Sequence, residues 1–175
     1  MIQPSSLRFQ PLTREQAETV LSWRYTAPFD FYNPPPITET VINNLLQPEW
    51  AFHGVVHDQE FIGYASFGAD GQLPGGDYQG AALDIGLGLR PDLTGSGWGA
   101  IFVAAIIDFA RTEFQAAEVR VTVAAFNERA IKVYHRLGFV DTSEFRYQSV
   151  SYRVLVQAKA HHGQRTKARS RIPHA

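Results

Sequence analysis

The sequence predicts a mixed α+β fold built on a single sheet, and three observations carry that expectation. Segments that alternate apolar and polar residues are interleaved with segments of helical periodicity, which gives about seven strands and about four helices. One strand, Leu83 to Leu89, passes through a glycine-rich turn directly into the most apolar helix of the chain. The length of 175 residues, with 45% apolar and 19% charged residues, suits one domain with a sizeable core. That domain is expected to span residues 1–158, with a basic tail over 159–175 that folds into nothing.

The elements follow in order. Leu7 to Leu12 alternates as a short first strand. Thr13-Arg14-Glu15-Gln16 is a capping-box signature, so a helix is expected to about Trp23, burying Ala17, Val20 and Leu21. Tyr25 to Pro36 is aromatic and ends in three consecutive prolines, which exclude a helix there. Thr38 to Leu46 suits a second, short helix. Ala51 to His57 and Glu60 to Phe67, joined by Asp58-Gln59, form a hairpin. Gly68 to Gly80 is a loop with five glycines, and Leu83 to Leu89 is the fourth strand. Gly95 to about Phe114 is a long helix, apolar on most sides and therefore packed against a sheet. Glu118 to Ala124 is a fifth strand. Asn127 caps a helix that runs to Leu137, and Gly138 stops it. Phe139 to Phe145 and Ser149 to Gln157 are the last two strands.

Composition removes several classes of function. No cysteine is present, which excludes disulfides, thiolate metal sites and a cysteine nucleophile, and fits a reducing cytoplasm. The N-terminus has no basic start and apolar run of a signal peptide, and the longest apolar run, Ala100 to Ile107, is too short to cross a bilayer. A cytoplasmic protein without membrane partners is expected. Residues 159–175 hold five of the 16 basic residues and no acidic ones, so the body carries 11 basic against 17 acidic residues. An acidic body favours a cationic partner such as an amine and argues against nucleic acid. Monomer and homodimer are both compatible with the sequence. His53 and His57 share a sheet face, but no carboxylate pattern accompanies them, and no metal site is expected.

The stretch from Leu87 to Ala100 is the most informative. A strand runs into a loop, the loop becomes glycine-rich, and a helix begins. The first turn of a helix offers unpaired N–H groups and a partial positive charge, which bind a phosphate without a lysine. A Walker loop would need a Gly-Lys-Ser/Thr ending, which Trp98-Gly99-Ala100 does not supply. A dinucleotide fingerprint is matched literally by Gly95-x-Gly97-x-x-Ala100. There, however, the glycines follow the strand closely and an acidic residue ends the next strand. Here Arg90 to Thr94 intervene, and the next strand ends in Ala124-Ala125-Phe126-Asn127. Tight packing of a helix start is the third, plainer reading.

Leu89-Arg90-Pro91 with Gly97 and Gly99, and farther on Asn127-x-x-Ala130-x-x-x-Tyr134-x-x-x-Gly138-Phe139, together resemble two motifs of the GNAT N-acetyltransferase superfamily. Leu89-Arg90-Pro91 is similar to its V-x-P step, and Gly97 and Gly99 match the two small positions of its Gln/Arg-x-x-Gly-x-Gly/Ala loop. Thr94 stands where Gln or Arg is usual. About 30 residues on, Asn127 to Phe139 fills every position of the N-x-x-A-x-x-x-Y-x-x-x-G-F element. The resemblance covers roughly residues 7–158.

It implies a central twisted, mostly antiparallel sheet of about seven strands flanked by about four helices. It implies acetyl-coenzyme A as cosubstrate and direct attack by an amine in a ternary complex. The diphosphate would lie on Thr94, Gly95, Ser96, Gly97, Trp98, Gly99 and Ala100. The pantetheine arm would run along Leu87, Gly88 and Leu89 and touch Asn127 and Ala130, and a backbone N–H of the same strand would hold the oxyanion. Gly86 and Gly88 would allow close approach or mark a bulge. Tyr134 would protonate the leaving thiolate, and Asp84 would act as base. The acceptor is unidentified: a small amine or a protein N-terminus. Tyr25, Phe29, Asp30, Phe31 and Tyr32, with Asp77 and Tyr78 opposite, would form a wall suited to a cation. A non-catalytic acyl-coenzyme A-binding module on the same fold is the alternative.

Overall fold

Seven strands pair into one sheet: β1 (Arg8–Pro11), β2 (His53–His57), β3 (Glu60–Phe67), β4 (Leu83–Leu89), β5 (Glu118–Ala124), β6 (Val140–Tyr147) and β7 (Val150–Ala158). Four α-helices accompany them: α1 (Arg14–Ser22), α2 (Glu39–Leu45), α3 (Trp98–Glu113) and α4 (Glu128–Arg136). This is a computed structural model, and it describes residues 2–158. The basic segment 159–175 lies outside the described residues.

The strand order is β1-β2-β3-β4-β5-β7-β6. All neighbours are antiparallel except β4 and β5, which are parallel because α3 carries the chain back between them. The expected mostly antiparallel sheet with four helices is what forms.

Local signals set the helix boundaries. Thr13 and Gln16 complete a reciprocal capping box on α1, and Ala17, Val20 and Leu21 are its buried face. Thr38 caps α2 through the N–H of Val41. Asn127 Oδ1 accepts from the Ala130 N–H at 3.2 Å at the start of α4. The long helix begins at Trp98, three residues later than the sequence suggests. Gly95 and Gly97 hold φ of +77° and +91°, values outside the helical region, so the glycine turn precedes α3 instead of opening it.

Two hydrophobic clusters hold the elements. The larger one packs Phe102, Ile106 and Ala110 of α3, with Ile131 and Tyr134 of α4, against Val55, Ile62, Val119 and Leu155 of the sheet. The smaller one joins Ala17, Leu21 and Ile42 of α1 and α2 to Phe52, Phe61 and Tyr64. His53 and His57 contact the rings of Phe109 and Trp98, both on α3. Among the described residues no group of three or more His, Cys, Asp or Glu could hold a metal, and no helix is long and apolar enough to cross a membrane.

The sheet is split along one seam. β4 and β5 pair only at Leu83–Val119 and Asp84–Arg120, and then part. β4 continues to pair with β3 as far as Leu89, and β5 with β7 as far as Ala124. Beyond Asp84 the edge of β4 that faces β5 therefore has no strand partner.

Candidate active site

The gap between β4 and β5 opens into a cleft of about 960 Å³. Its floor is the unpaired run Gly86–Leu89 on one side and Thr122–Ala124 on the other. The start of α3 closes one end, and α4 lines a wall through Asn127, Ala130, Val133 and Tyr134. Backbone N–H and C=O groups exposed in such a gap need partners, and an extended amide-bearing chain laid along β4 would supply them as a strand does.

At the glycine turn the groups offered to the cleft are those of the backbone. Gly97 caps α3 without any side-chain hydrogen bond, so the first N–H groups of a 16-residue helix have no side-chain cap. An added Cβ at Gly97 would meet nothing within 4 Å. Its glycine is required by the left-handed φ and not by crowding. The hydroxyls nearby are engaged elsewhere: Thr94 donates to Pro91 O at 2.7 Å, and Ser96 donates to Leu93 O at 2.6 Å. Thr94, Gly95, Gly97, Gly99 and Ala100 line the cleft, whereas Ser96 and Trp98 do not.

Positive charge arrives from α4 instead. Arg129, Lys132 and Arg136 line the cleft, and an Arg129 guanidinium nitrogen stands 3.1 Å from where a Cβ on Gly95 would be. The same guanidinium lies 4.1 Å over the Phe29 ring. Thr94 leaves the loop without the usual Gln or Arg, and Arg129 brings a guanidinium to it from another helix. Sequence reading missed this residue because its proximity to the loop depends on how α3 and α4 pack.

Tyr134 is 5% exposed and lines the cleft. Its hydroxyl has no hydrogen-bond partner among the described residues. Burial pushes the phenol above its usual range near 10, so it keeps its proton at neutral pH. Asn127 uses both ends of its amide: Oδ1 caps α4, and Nδ2 donates to the Tyr32 phenol at 3.3 Å.

The aromatic segment borders the cleft. Tyr25, Phe29, Phe31 and Tyr32 line the cleft, and Phe31 meets the exposed Phe126 edge-on at 5.4 Å. Phe126 was not foreseen; it lies in the turn before α4, and its sequence context carries no signal. Tyr25 donates to Leu89 O at 2.9 Å, and burial raises its phenol to about 12. Asp30 does not line the cleft.

Three other expectations are corrected. Asp84 is not free to act as a base. It is 4% exposed; Arg120 donates to both its oxygens at 2.6 and 2.8 Å, and Gln72 donates to Oδ2 at 2.7 Å. The carboxylate stays saturated in a buried ion pair and does not line the cleft. Asp77 and Tyr78 are not an opposing substrate wall. Tyr78 stacks under Arg120 at 5.1 Å and bonds Leu73 N and Thr122 Oγ1, while Asp77 accepts from Gln79 N. Gly86 and Gly88 mark no bulge, because the β3–β4 register is unbroken. A Cβ at Gly88 would collide with the Tyr64 ring, and one at Gly86 with Ser66 and Asp70.

The arrangement sets an unpartnered strand edge, a helix terminus without a side-chain cap and a protonated phenol around one cleft. The acetyltransferase (GNAT) family model matches residues 17–139, and the chain belongs to that family.

Solved structures of the same fold include an aminoglycoside acetyltransferase, AAC(6')-Ib, in complex with coenzyme A. It has 19% identity and a TM-score of 0.72, over 88% of this chain and 95% of that one. A spermidine N-acetyltransferase SpeG chimera from Vibrio cholerae and hSSAT has 15% identity and a TM-score of 0.68, over 87% and 95%. The N-acetyltransferase PseH of Campylobacter jejuni, in complex with acetyl coenzyme A, has 19% identity and a TM-score of 0.63, over 88% and 99%. A comparison with curated proteins by sequence returns no match.

Proposed function

We propose that this protein is an N-acetyltransferase that moves the acetyl group of acetyl-coenzyme A to a primary amine in a ternary complex. The observation that carries the reading is the parting of β4 and β5 beside an uncapped α3 terminus, with the Tyr134 phenol facing the gap. Each part has a task. Backbone groups of Leu87, Gly88 and Leu89 bond the pantetheine amides, and an N–H of this strand faces the thioester oxygen as negative charge develops on it. Gly97, Gly99 and Ala100 offer N–H groups to the diphosphate, and Arg129 adds the charge that Thr94 lacks. Tyr134 gives its proton to the departing sulfur. The absence of cysteine fits work in the cytoplasm.

The test has two readouts. Calorimetry with coenzyme A should give binding by the wild-type protein and little or none by Gly97→Glu, which places a carboxylate in the diphosphate seat. Thioester turnover with a panel of amines then separates an enzyme from an acyl-coenzyme A-binding module: binding without turnover of any amine identifies the module. Absence of coenzyme A binding, or full binding by Gly97→Glu, overturns the reading altogether.

A further inference from the structure

With Asp84 held by Arg120 outside the cleft, the base that the family resemblance implied is missing, and a second carboxylate stands close by. Asp70, in the turn after β3, lines the cleft. Its Oδ2 accepts from the hydroxyl of Ser66 at 2.5 Å and lies 2.9 Å from where a Cβ on Gly86 would be. The carboxylate thus reaches the part of β4 that has just lost its β5 partner. No lysine, arginine or histidine pairs with it among the described residues. Much of the residue is exposed, but Oδ2 is turned onto the fully buried Ser66, and the loss of water there raises its pKa.

Asp70 also borders a second, smaller hollow of about 280 Å³, whose other linings are Asn44, Leu45, Gln47, Trp50 and Phe52. That hollow has no charged lining residue except Asp70. The main cleft offers one other carboxylate, Glu128, on α4 beside Arg129 and Lys132. A polyamine or an amino sugar with several charges would find one carboxylate there and no partner for its further cations.

We propose that Asp70, and not Asp84, seats the acceptor ammonium and takes its proton, and that the acceptor is a singly charged primary amine whose small apolar body lies against Trp50 and Phe52. The assignment rests on the acetyltransferase reading. The protons balance as follows. The ammonium gives one to Asp70, which passes it to solvent. The nitrogen lone pair forms the C–N bond at the thioester carbon. As the C–S bond breaks, the sulfur takes a proton from Tyr134, and the second proton lost by nitrogen restores the phenol. One proton is released per turnover.

The experiment uses 2-phenylethylamine, ethylamine and spermidine as probes with the whole protein. Asp70→Asn should lower kcat/KM for 2-phenylethylamine about a hundredfold while coenzyme A affinity stays unchanged, and Asp70→Glu, which keeps the charge, should recover much of the loss. Trp50→Ala should raise KM for 2-phenylethylamine about tenfold and leave that for ethylamine in place. Wild-type kcat/KM should favour 2-phenylethylamine over spermidine. Wild-type turnover by Asp70→Asn, or preference for spermidine, overturns the assignment while leaving the transferase reading intact. If coenzyme A binds but no amine turns over, that reading fails instead. Calorimetric titration of coenzyme-saturated protein with 2-phenylethylamine then still decides Asp70: lower affinity in Asp70→Asn upholds the seat, and equal affinity or no binding by the wild type overturns it.

Discussion

Asp84 and Arg120 are direct partners in the last rung that joins β4 to β5, and both side chains are 5% exposed. Arg120 also donates to Gln79 O at 2.8 Å and Tyr78 O at 3.0 Å, so one guanidinium fastens the 72–80 loop to the point where the strands diverge. Asp84→Asn should cost about 3–5 kcal/mol of unfolding free energy in a denaturant titration, because it leaves Arg120 buried and unpaired. Joint replacement of Asp84 by Leu and Arg120 by Met should recover much of that loss. Tyr134→Phe has the opposite profile. Its hydroxyl holds no partner among the described residues, so the melting temperature should change little. Turnover should fall ~10²–10⁴-fold, the range for a lost general acid, with coenzyme A affinity preserved. A carboxylate at the start of a strand can be read from sequence. The arginine 36 residues away that engages it cannot, because their meeting depends on a parallel register set only after α3 has crossed over.

Helix ends and turns were legible where the signal is local. The capping box of α1 and the Thr38 and Asn127 caps all rest on contacts within a few residues. The start of α3 was misplaced by three residues, since a run of glycines fits a helix opening and a left-handed turn equally well by composition. Arg129 shows the other limit. Thr94 is a departure visible in the loop, but the guanidinium that stands at Gly95 comes from α4. Arg129→Ala should weaken coenzyme A binding roughly tenfold or more, in line with loss of a charge-assisted contact worth about 1.5–3 kcal/mol. The deficit should shrink as salt is raised, because a half-open cleft is screened. Full affinity at low salt would remove Arg129 from the diphosphate seat.

Across the whole molecule, the count of strands and helices followed from periodicity, while the strand order did not. The exchange that puts β7 inside and β6 at the edge shows only as the apolar run Val154-Leu155-Val156 in β7 against the polar β6, a contrast that does not say which strands flank β7. The parting of β4 and β5 is likewise a property of the assembled sheet. It decides which expected residues reach the cleft: Leu87, Gly88, Leu89 and Tyr134 do, whereas Asp84 and Tyr78, near the closed end, serve the joint instead.

Arg129 lies over Phe29, and Asn127 reaches Tyr32, so α4 and its cap hold two aromatic rings of the 25–36 segment. A diphosphate drawing Arg129 toward the glycine turn would release Phe29 from its cation. The two halves of the cleft are then thermodynamically linked, and whatever factor the first ligand imposes on the second must be returned in kind. Titrating an amine with and without saturating coenzyme A, in wild type and in Phe29→Leu, would read that factor. Equal affinities in all four titrations would mean that the halves fill independently.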